Sequence, residues 1–298
     1  MIKNVNLLSF INENYNKNTH YRTLELLQLS KQIYQLEINN ITQFECDHFI
    51  INKYTLPNKR SYLVKTPKNS NNITKCILFF HGSRDLHWDC ALLSTNLISN
   101  KYLDYIIVYL QGNNQGVFNL EEPHLHPQYG YISYGENFFE IRDSAINFTG
   151  PTDPTGPTGP TGDINYVKEV KENIKNKYNT SEFFAIGHSN GGVFLTLFPI
   201  YLPGEFSKLI SHQGGMGYDE YFNIPFHLEK KLDNNFKLPD MLFYTGTEDI
   251  HFLPCVQAHN IFLNEGFNSE IYIEKGLKHT WRKCDEWRML DFLFSNKI

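Results

Sequence analysis

Short runs of apolar residues recur along this chain, and stretches with helical periodicity lie between them. The runs that predict buried strands lie at residues 75–80, 104–110, 182–186, 208–213, 241–245 and 270–274. Helical stretches lie at residues 89–100, 193–198, 252–264 and 283–294, and another begins at an expected N-cap, Asp163, with Ile164, Val167, Val170 and Ile174 on one face. Strands that alternate with helices predict an α/β fold with a mostly parallel sheet, flanked by helices and joined by right-handed crossovers.

The chain divides into an N-terminal extension and one larger domain. In residues 1–41, leucines and isoleucines at helical spacing predict a helix near residues 20–38 that packs on the main domain. From residue 42 onward, the segments FECDHFIINKY and RSYLVKTP, on either side of a Leu-Pro-Asn turn, predict a β-hairpin. A chain of 298 residues is long enough for one α/β domain with additions, and we assign that domain to residues 42–298.

Residues 111–162 form an insertion with two different parts. The first part is rich in aromatic residues, which indicates packed order, and we expect Tyr131 and Phe138 to border a substrate pocket. The second part, GPTDPTGPTGPTG at residues 150–162, has glycine at every third position except Asp153. A collagen triple helix needs glycine at each of those positions, so we predict an exposed connector in a monomer and keep a role in assembly as the alternative.

The sequence GHSNGG, placed between a predicted strand and a predicted helix, matches the G-x-S-x-G pattern of a nucleophile elbow. So tight a turn strains the backbone at Ser189, and a Cβ at Gly187 or Gly191 would clash with neighbouring segments. The turn also places Ser189 at a helix N-terminus, where negative charge is favoured. Ser189 is therefore the candidate nucleophile, whereas His188 inside the elbow is interpreted as a packing residue.

A serine hydroxyl needs a base that takes its proton and an acid that orients the base. In this architecture the acid and then the histidine follow the serine along the chain. Asp249 and His279 come just after two predicted strands, at the sheet edge where open parallel sheets place their sites. We predict Asp249 as the acid and His279 as the base, with the neighbouring Glu248 as the alternative acid and His251 as a structural residue.

Acyl transfer also requires hydrogen-bond donors for the oxyanion of the tetrahedral intermediate. The backbone amide of Asn190, which follows the nucleophile, is one candidate donor. The other comes from His81-Gly82-Ser83 after the strand at residues 75–80, and we predict the Ser83 amide as the second donor. Gly82 would allow the backbone to approach closely, although it could also be a simple turn glycine.

Composition excludes several other classes of function. A net charge of −5 with scattered lysines and arginines argues against nucleic-acid binding, and no run of 18 apolar residues predicts a membrane span. The first residues contain too short an apolar stretch for a signal peptide, so we expect an intracellular protein. The five cysteines are widely spaced, which favours reduced thiols over disulfides. Association with a surface or particle stays open. The cluster of Glu121, Glu122, His124 and His126 could hold a metal, but such spacing in a polar loop often arises by chance, and we expect neither a metal nor a cofactor.

Taken in order, these motifs resemble an α/β-hydrolase, and within that fold the group of feruloyl esterases and polyhydroxybutyrate depolymerases. The likeness covers roughly residue 60 to the C-terminus and rests on RSYLVKTP, CILFFHGS, DYIIVYLQG, DINYV, GHSNGG, TGTEDIHFLP and KHTW. The resemblance implies Ser189 as nucleophile, Asp249 as acid and His279 as base. Residues 111–162 do not match that group, so the substrate does not carry over.

The leading hypothesis is therefore a cofactor-independent serine hydrolase that cleaves a small-molecule carboxylic ester through a Ser-His-Asp triad. A serine peptidase or a thioesterase would use the same residues. A protein with a hydrolase fold but a structural or interaction role is the alternative from another class, and the complete order of nucleophile, acid and base argues against it.

Overall fold

The computed structural model describes residues 42–45, 49–58, 60–68, 70, 72–82, 104–114, 129–130, 163–215 and 236–295, together with the single positions 87, 90, 91, 94 and 97. The N-terminal helix predicted near residues 20–38, the aromatic part of the insertion and the glycine-rich run lie outside these residues. Most of the helix predicted at residues 89–100 also lies outside them. The division into residues 1–41 and 42–298 stays a prediction.

A nine-stranded sheet organises the described residues. Its strands are β1 (Gln43–Glu45), β2 (Phe49–Thr55), β3 (Ser61–Pro67), β4 (Lys75–Phe80), β5 (Tyr105–Leu110), β8 (Glu182–His188), β9 (Lys208–His212), β10 (Asp240–Glu248) and β11 (Ser269–Lys278). Their spatial order is β1-β2-β3-β5-β4-β8-β9-β10-β11. Two short strands, β6 (Asn113–Asn114) and β7 (Tyr129–Gly130), form a separate antiparallel pair.

The sheet is antiparallel at one end and parallel over the rest. Strands β1, β2, β3 and β5 pair antiparallel in succession, which confirms the predicted hairpin of β2 and β3. From β5 through β4, β8, β9 and β10 to β11, every pair of neighbours is parallel. The carboxyl ends of β4, β8, β9, β10 and β11 therefore lie at one edge of the sheet, and the candidate residues Ser189, Asp249 and His279 follow three of these strands at that edge.

Five helices are described in full: α1 (Asp163–Tyr178), α2 (Asn190–Leu195), α3 (Phe198–Tyr201), α4 (Phe252–Asn264) and α5 (Lys283–Phe294). The apolar face predicted for α1 is buried, and Asp163 at its first position pairs with Arg60 at 2.5 Å. The single helix predicted at residues 193–198 was wrong, because α2 ends at Leu195 and α3 begins at Phe198. Pro199 explains the break, since proline has no backbone N–H with which to continue α2.

Both faces of the sheet are covered by apolar side chains. One cluster joins β4, β5 and β8 to α1, α2 and α3, and the other joins the same strands to α5. All six residues of β5 are buried, as expected for a strand covered on both faces. None of the described helices is long and apolar enough to cross a bilayer.

Candidate active site

The turn between β8 and α2 carries Ser189 in a strained backbone conformation, with φ 52° and ψ −117°. Residues other than glycine rarely adopt a positive φ, and such backbone strain is often found at functional sites. Glycines make the turn possible: a Cβ on Gly187 would lie 2.3 Å from the carbonyl oxygen of Gly191, and one on Gly191 would lie 2.3 Å from that of Phe80. The elbow is thereby pressed against the end of β4.

Ser189, His279 and Asp249 form a continuous chain of hydrogen bonds. The hydroxyl of Ser189 lies 3.0 Å from Nε2 of His279, and Nδ1 of His279 lies 2.9 Å from Oδ1 of Asp249. His279 follows β11 and Asp249 follows β10, so adjacent parallel strands supply the base and the acid. The arrangement can transfer the hydroxyl proton to an imidazole that a carboxylate orients.

The carboxylate of Asp249 is buried, and backbone geometry holds it in place. The amide of His251 donates to its Oδ1 at 2.8 Å, and the hydroxyl of Thr245 lies 3.5 Å from its Oδ2. The neighbouring side chain of Glu248 is exposed. Of the two adjacent carboxylates, the structure thus brings Asp249 to His279.

Two further histidines contact the ring of His279. His188 stacks against it with ring centroids 5.4 Å apart and planes 23° from parallel, and His251 lies 5.1 Å away at 49°. Burial and the proximity of His279 lower the pKa of His251, which favours its neutral form near pH 7. Both histidines were interpreted from sequence as packing or structural residues, and their ring contacts now place them beside the candidate base.

The loop after β4 is anchored by His81, which is fully buried. Burial lowers the pKa of His81 to about 4, so its ring is neutral near pH 7. In that form Nδ1 donates to the carbonyl of Gly82 at 2.7 Å, and Nε2 accepts from the amide of Gly112 at 3.0 Å. Asn190 begins α2 directly after the nucleophile, whereas Ser83, the other predicted oxyanion donor, lies outside the described residues.

The predicted pocket residues Tyr131 and Phe138 also lie outside the described residues, as do the four possible metal ligands between Glu121 and His126. Within the part of the chain that the structure describes, no group of three or more histidine, cysteine, aspartate or glutamate side chains could hold a metal ion.

Sequence reasoning missed a group of polar residues behind the elbow. His212 ends β9 and Gln213 follows it directly, and the buried His212 lies near the carboxylate of Asp285, which pairs with Arg282. The segment KLISHQ was interpreted only as a strand. Its two polar residues at the carboxyl end of a buried strand, where α/β sheets place their sites, are the signal that could have identified them.

The sequence matches no family model and no curated protein. Solved structures do match. The chain is similar to esterase PE8 (14% identity, 75% of this chain and 93% of that one, TM-score 0.53). It is also similar to two S-formylglutathione hydrolases, FrmB from Staphylococcus aureus (12% identity, 86% and 100% covered, TM-score 0.54) and an Agrobacterium tumefaciens enzyme (11%, 85% and 97%, TM-score 0.57).

At these identities the likeness establishes the fold. The mostly parallel sheet, its antiparallel end and the helices on both faces are those of the α/β-hydrolase fold, as the sequence predicted. The solved structures that are similar to this chain are named as esterases and other serine hydrolases.

Proposed function

We propose that this protein is a serine hydrolase that cleaves carboxylic esters through a Ser189–His279–Asp249 triad. One observation carries the proposal: the hydrogen-bonded chain from the Ser189 hydroxyl through His279 to a buried carboxylate starts at a strained elbow. A fold can be shared by proteins of many functions, so the proposal rests on this geometry and takes only general support from the named neighbours.

In the first half of the reaction, the Ser189 hydroxyl attacks the ester carbonyl while its proton passes to Nε2 of His279. Asp249 accepts a hydrogen bond from Nδ1–H of His279 and stabilises the imidazolium that forms. The tetrahedral intermediate places its negative charge on the former carbonyl oxygen, and the amides of Asn190 and Ser83 are the proposed donors to it. Collapse of the intermediate breaks the ester C–O bond, and the alcohol leaves with the proton from His279.

In the second half, water attacks the acyl-enzyme and gives its proton to His279. The second intermediate then releases the carboxylic acid and returns the proton to the Ser189 oxygen. No cofactor takes part in these steps. The substrate is a small-molecule ester, and Tyr131 and Phe138 stay predicted to border its acyl pocket.

A thioesterase is the second candidate, because two structural neighbours are named as S-formylglutathione hydrolases, and S-formylglutathione is a thioester. The same attack and proton transfers would cleave a C–S bond. Turnover of paired oxygen and sulfur esters that share one acyl group separates the two candidates. We expect the oxygen ester to be cleaved with the higher kcat/KM.

Labelling by a fluorophosphonate tests the proposal without knowledge of the substrate. We expect Ser189 to be the labelled residue and p-nitrophenyl acetate or butyrate to be hydrolysed. Ser189→Ala should lower kcat on the order of 10⁶-fold, as in other triads whose nucleophile is removed.

The matched control is Ser181→Ala, which removes an exposed serine hydroxyl just before β8, at the opposite end of that strand from the elbow. It should hydrolyse the esters at the wild-type rate. Equal turnover by wild type and Ser189→Ala would end the proposal, and a protein with neither labelling nor turnover would favour the structural or interaction role.

A further inference from the structure

The end of β9 connects the nucleophile to the base. The carbonyl of His212 accepts a hydrogen bond from the amide of Ser189 at 2.9 Å. The next residue, Gln213, donates from its side chain to the carbonyl of Lys278 at 2.8 Å, directly before His279. Two consecutive residues therefore hold both partners of the proposed proton transfer.

Gln213 can reach Lys278 because the chain leaves the strand at this point. Its φ is 54°, and its amide donates to the carbonyl of Tyr244 in β10 at 2.7 Å. A non-glycine residue in this conformation persists only where the surrounding contacts maintain it. The two hydrogen bonds of Gln213 are such contacts, and both lead to the strands that carry the acid and the base.

The side chain of His212 provides a second connection, through His188. The two Nδ1 atoms lie 2.9 Å apart, so one ring donates a proton and the other accepts it. His188 then stacks on His279. A series of three rings thus runs from the fully buried His212 to the candidate base.

Asp285 determines which ring donates. Burial raises the pKa of the Asp285 carboxyl, but the nearby His212 and Arg282 outweigh it and hold the pKa well below its usual range, so the carboxylate is charged. Its Oδ2 lies 3.7 Å from Nε2 of His212, and its Oδ1 accepts hydrogen bonds from Arg282 and Tyr244 at 2.6 Å each. A negative charge at this place favours a proton on Nε2 of His212, which leaves its Nδ1 as the acceptor and makes Nδ1 of His188 the donor.

We propose that His212 is a positioning residue for the reaction. By fixing the tautomer and ring plane of His188, it holds the surface on which His279 stacks, and so keeps Nε2 of His279 directed at the Ser189 hydroxyl. The inference rests on the proposed function, because His212 acts only through the nucleophile and the base. A purely structural His212 would affect folding and nothing else.

Two substitutions of His212 separate these roles. In His212→Asn, the amide group can occupy the place of Nδ1 and keep a hydrogen bond to His188. In His212→Gln, the amide reaches the place of Nε2 near Asp285 and loses that bond. Fluorophosphonate inactivation gives KI for binding and kinact for the reaction of Ser189, and thermal unfolding of each variant reports stability.

We expect kinact to fall about 10- to 100-fold in His212→Gln and less than about threefold in His212→Asn, because a displacement near 1 Å in a catalytic geometry is enough for the larger loss. KI should change little in either variant. His259→Asn is the matched control, since His259 bonds through Nδ1 to the hydroxyl of Ser269 at 2.9 Å, away from the elbow. It should inactivate at the wild-type rate.

Nitrogen NMR of the wild-type protein tests the same inference without any variant. Histidine ¹⁵N shifts identify the protonated nitrogen, and we expect Nδ1–H on His188 and Nε2–H on His212. The reverse assignment would overturn the inference, as would equal kinact values for His212→Gln and wild type. A wild-type protein that does not react with the fluorophosphonate at all contradicts the proposed function instead.

Discussion

Two aspartate–histidine pairs lie near the same edge of the sheet, and they differ in contact distance, in exposure and in the partners of the carboxylate. Asp249 contacts His279 directly at 2.9 Å, and 26% of the His279 side chain is exposed. Asp285 stands 3.7 Å from His212, whose side chain is fully buried. The first pair therefore has a partly exposed histidine next to Ser189, whereas both side chains of the second pair are enclosed in the protein.

The partners of the two carboxylates explain the difference. Asp249 is held by a backbone amide and lies within hydrogen-bond distance of His279, so it is available to stabilise an imidazolium. Asp285 is held by the guanidinium of Arg282, which also pairs with Glu274. Its charge is already compensated. An aspartate–histidine pair is therefore not a sufficient sign of a catalytic base, and the neighbours of the carboxylate decide its role.

The largest effect that distinguishes the pairs is expected at Asp249. In Asp249→Asn, the side chain can no longer favour the required tautomer of His279 or stabilise its charged form, so kcat for p-nitrophenyl butyrate should fall about 10⁴-fold. Thermal unfolding should stay close to wild type. The comparison variant is Glu248→Gln, which changes the adjacent, exposed carboxylate and should cost little activity. A greater loss in Glu248→Gln would exchange the two assignments.

The pair of Asp285 and His212 should contribute more to the free energy of unfolding than an exposed ion pair does. Asp285→Asn removes the charge that Arg282 and Tyr244 contact in a buried place, and the free energy of unfolding in urea should fall by about 2 kcal/mol. Asp104→Asn is the control, because Asp104 forms an ion pair with Lys75 in which the two side chains are 41% and 31% exposed. Such an exposed pair should contribute less than about 1 kcal/mol to stability. Equal losses in the two variants would contradict the structural role assigned to Asp285.

The sequence predicts the strands of the sheet better than the ends of its elements. The apolar run at residues 75–80 becomes a strand with the expected bounds, and the run at residues 104–110 becomes a strand that begins one residue later, at Tyr105, as expected for segments buried on both faces. The runs at residues 241–245 and 270–274 extend further, to Glu248 and Lys278. The added residues are mostly polar and lie at the sheet edge that carries the candidate site. Apolar periodicity does not predict a strand there.

The sequence predicts one of the two aspartate–histidine pairs but not the other. Asp249 and His279 follow their strands in the order that the motif requires, so order alone suggested them. The contact between His212 and Asp285 joins β9 to α5 across 73 positions of sequence that no motif relates. Only the packing of the two segments shows that the buried charge of Asp285 faces a histidine beside the elbow.

A smaller effect concerns acid stability. Burial lowers the pKa of His212 in the folded state, so on acidification the unfolded chain takes up its proton first, near the ordinary histidine pKa of about 6.5. The contribution of a neutral His212 to stability is therefore lost as pH falls below that value. Between pH 7.5 and 5, urea unfolding of wild type should lose more free energy than that of His212→Asn.

Asp285 has the same sign of pH dependence as His212, because its folded pKa is also lowered, but its loss of stability falls in a more acidic range. Its folded pKa lies below the ordinary value of about 3.9, so its stabilisation is present above that pH and is lost as pH falls further. The difference between wild type and Asp285→Asn should stay constant from pH 7.5 to about 5 and shrink only in stronger acid. Parallel curves for wild type and His212→Asn would show that His212 does not titrate as its burial implies.

The smallest effect is expected from the glycine-rich run at residues 150–162, which lies outside the described residues. Asp153 interrupts the glycine period that a triple helix needs, and four glycine triplets are few for a stable trimer. Every contact assigned above to the two pairs comes from β8 to β11 and the segments that follow them. Deletion of Pro151 to Pro160 should therefore leave esterase turnover within about threefold, a difference of less than about 0.7 kcal/mol. The acid-stability curve should be unchanged, and the solution mass should stay that of a monomer before and after the deletion. A trimeric mass that collapses to monomer would instead assign the run to assembly and favour the structural or interaction role.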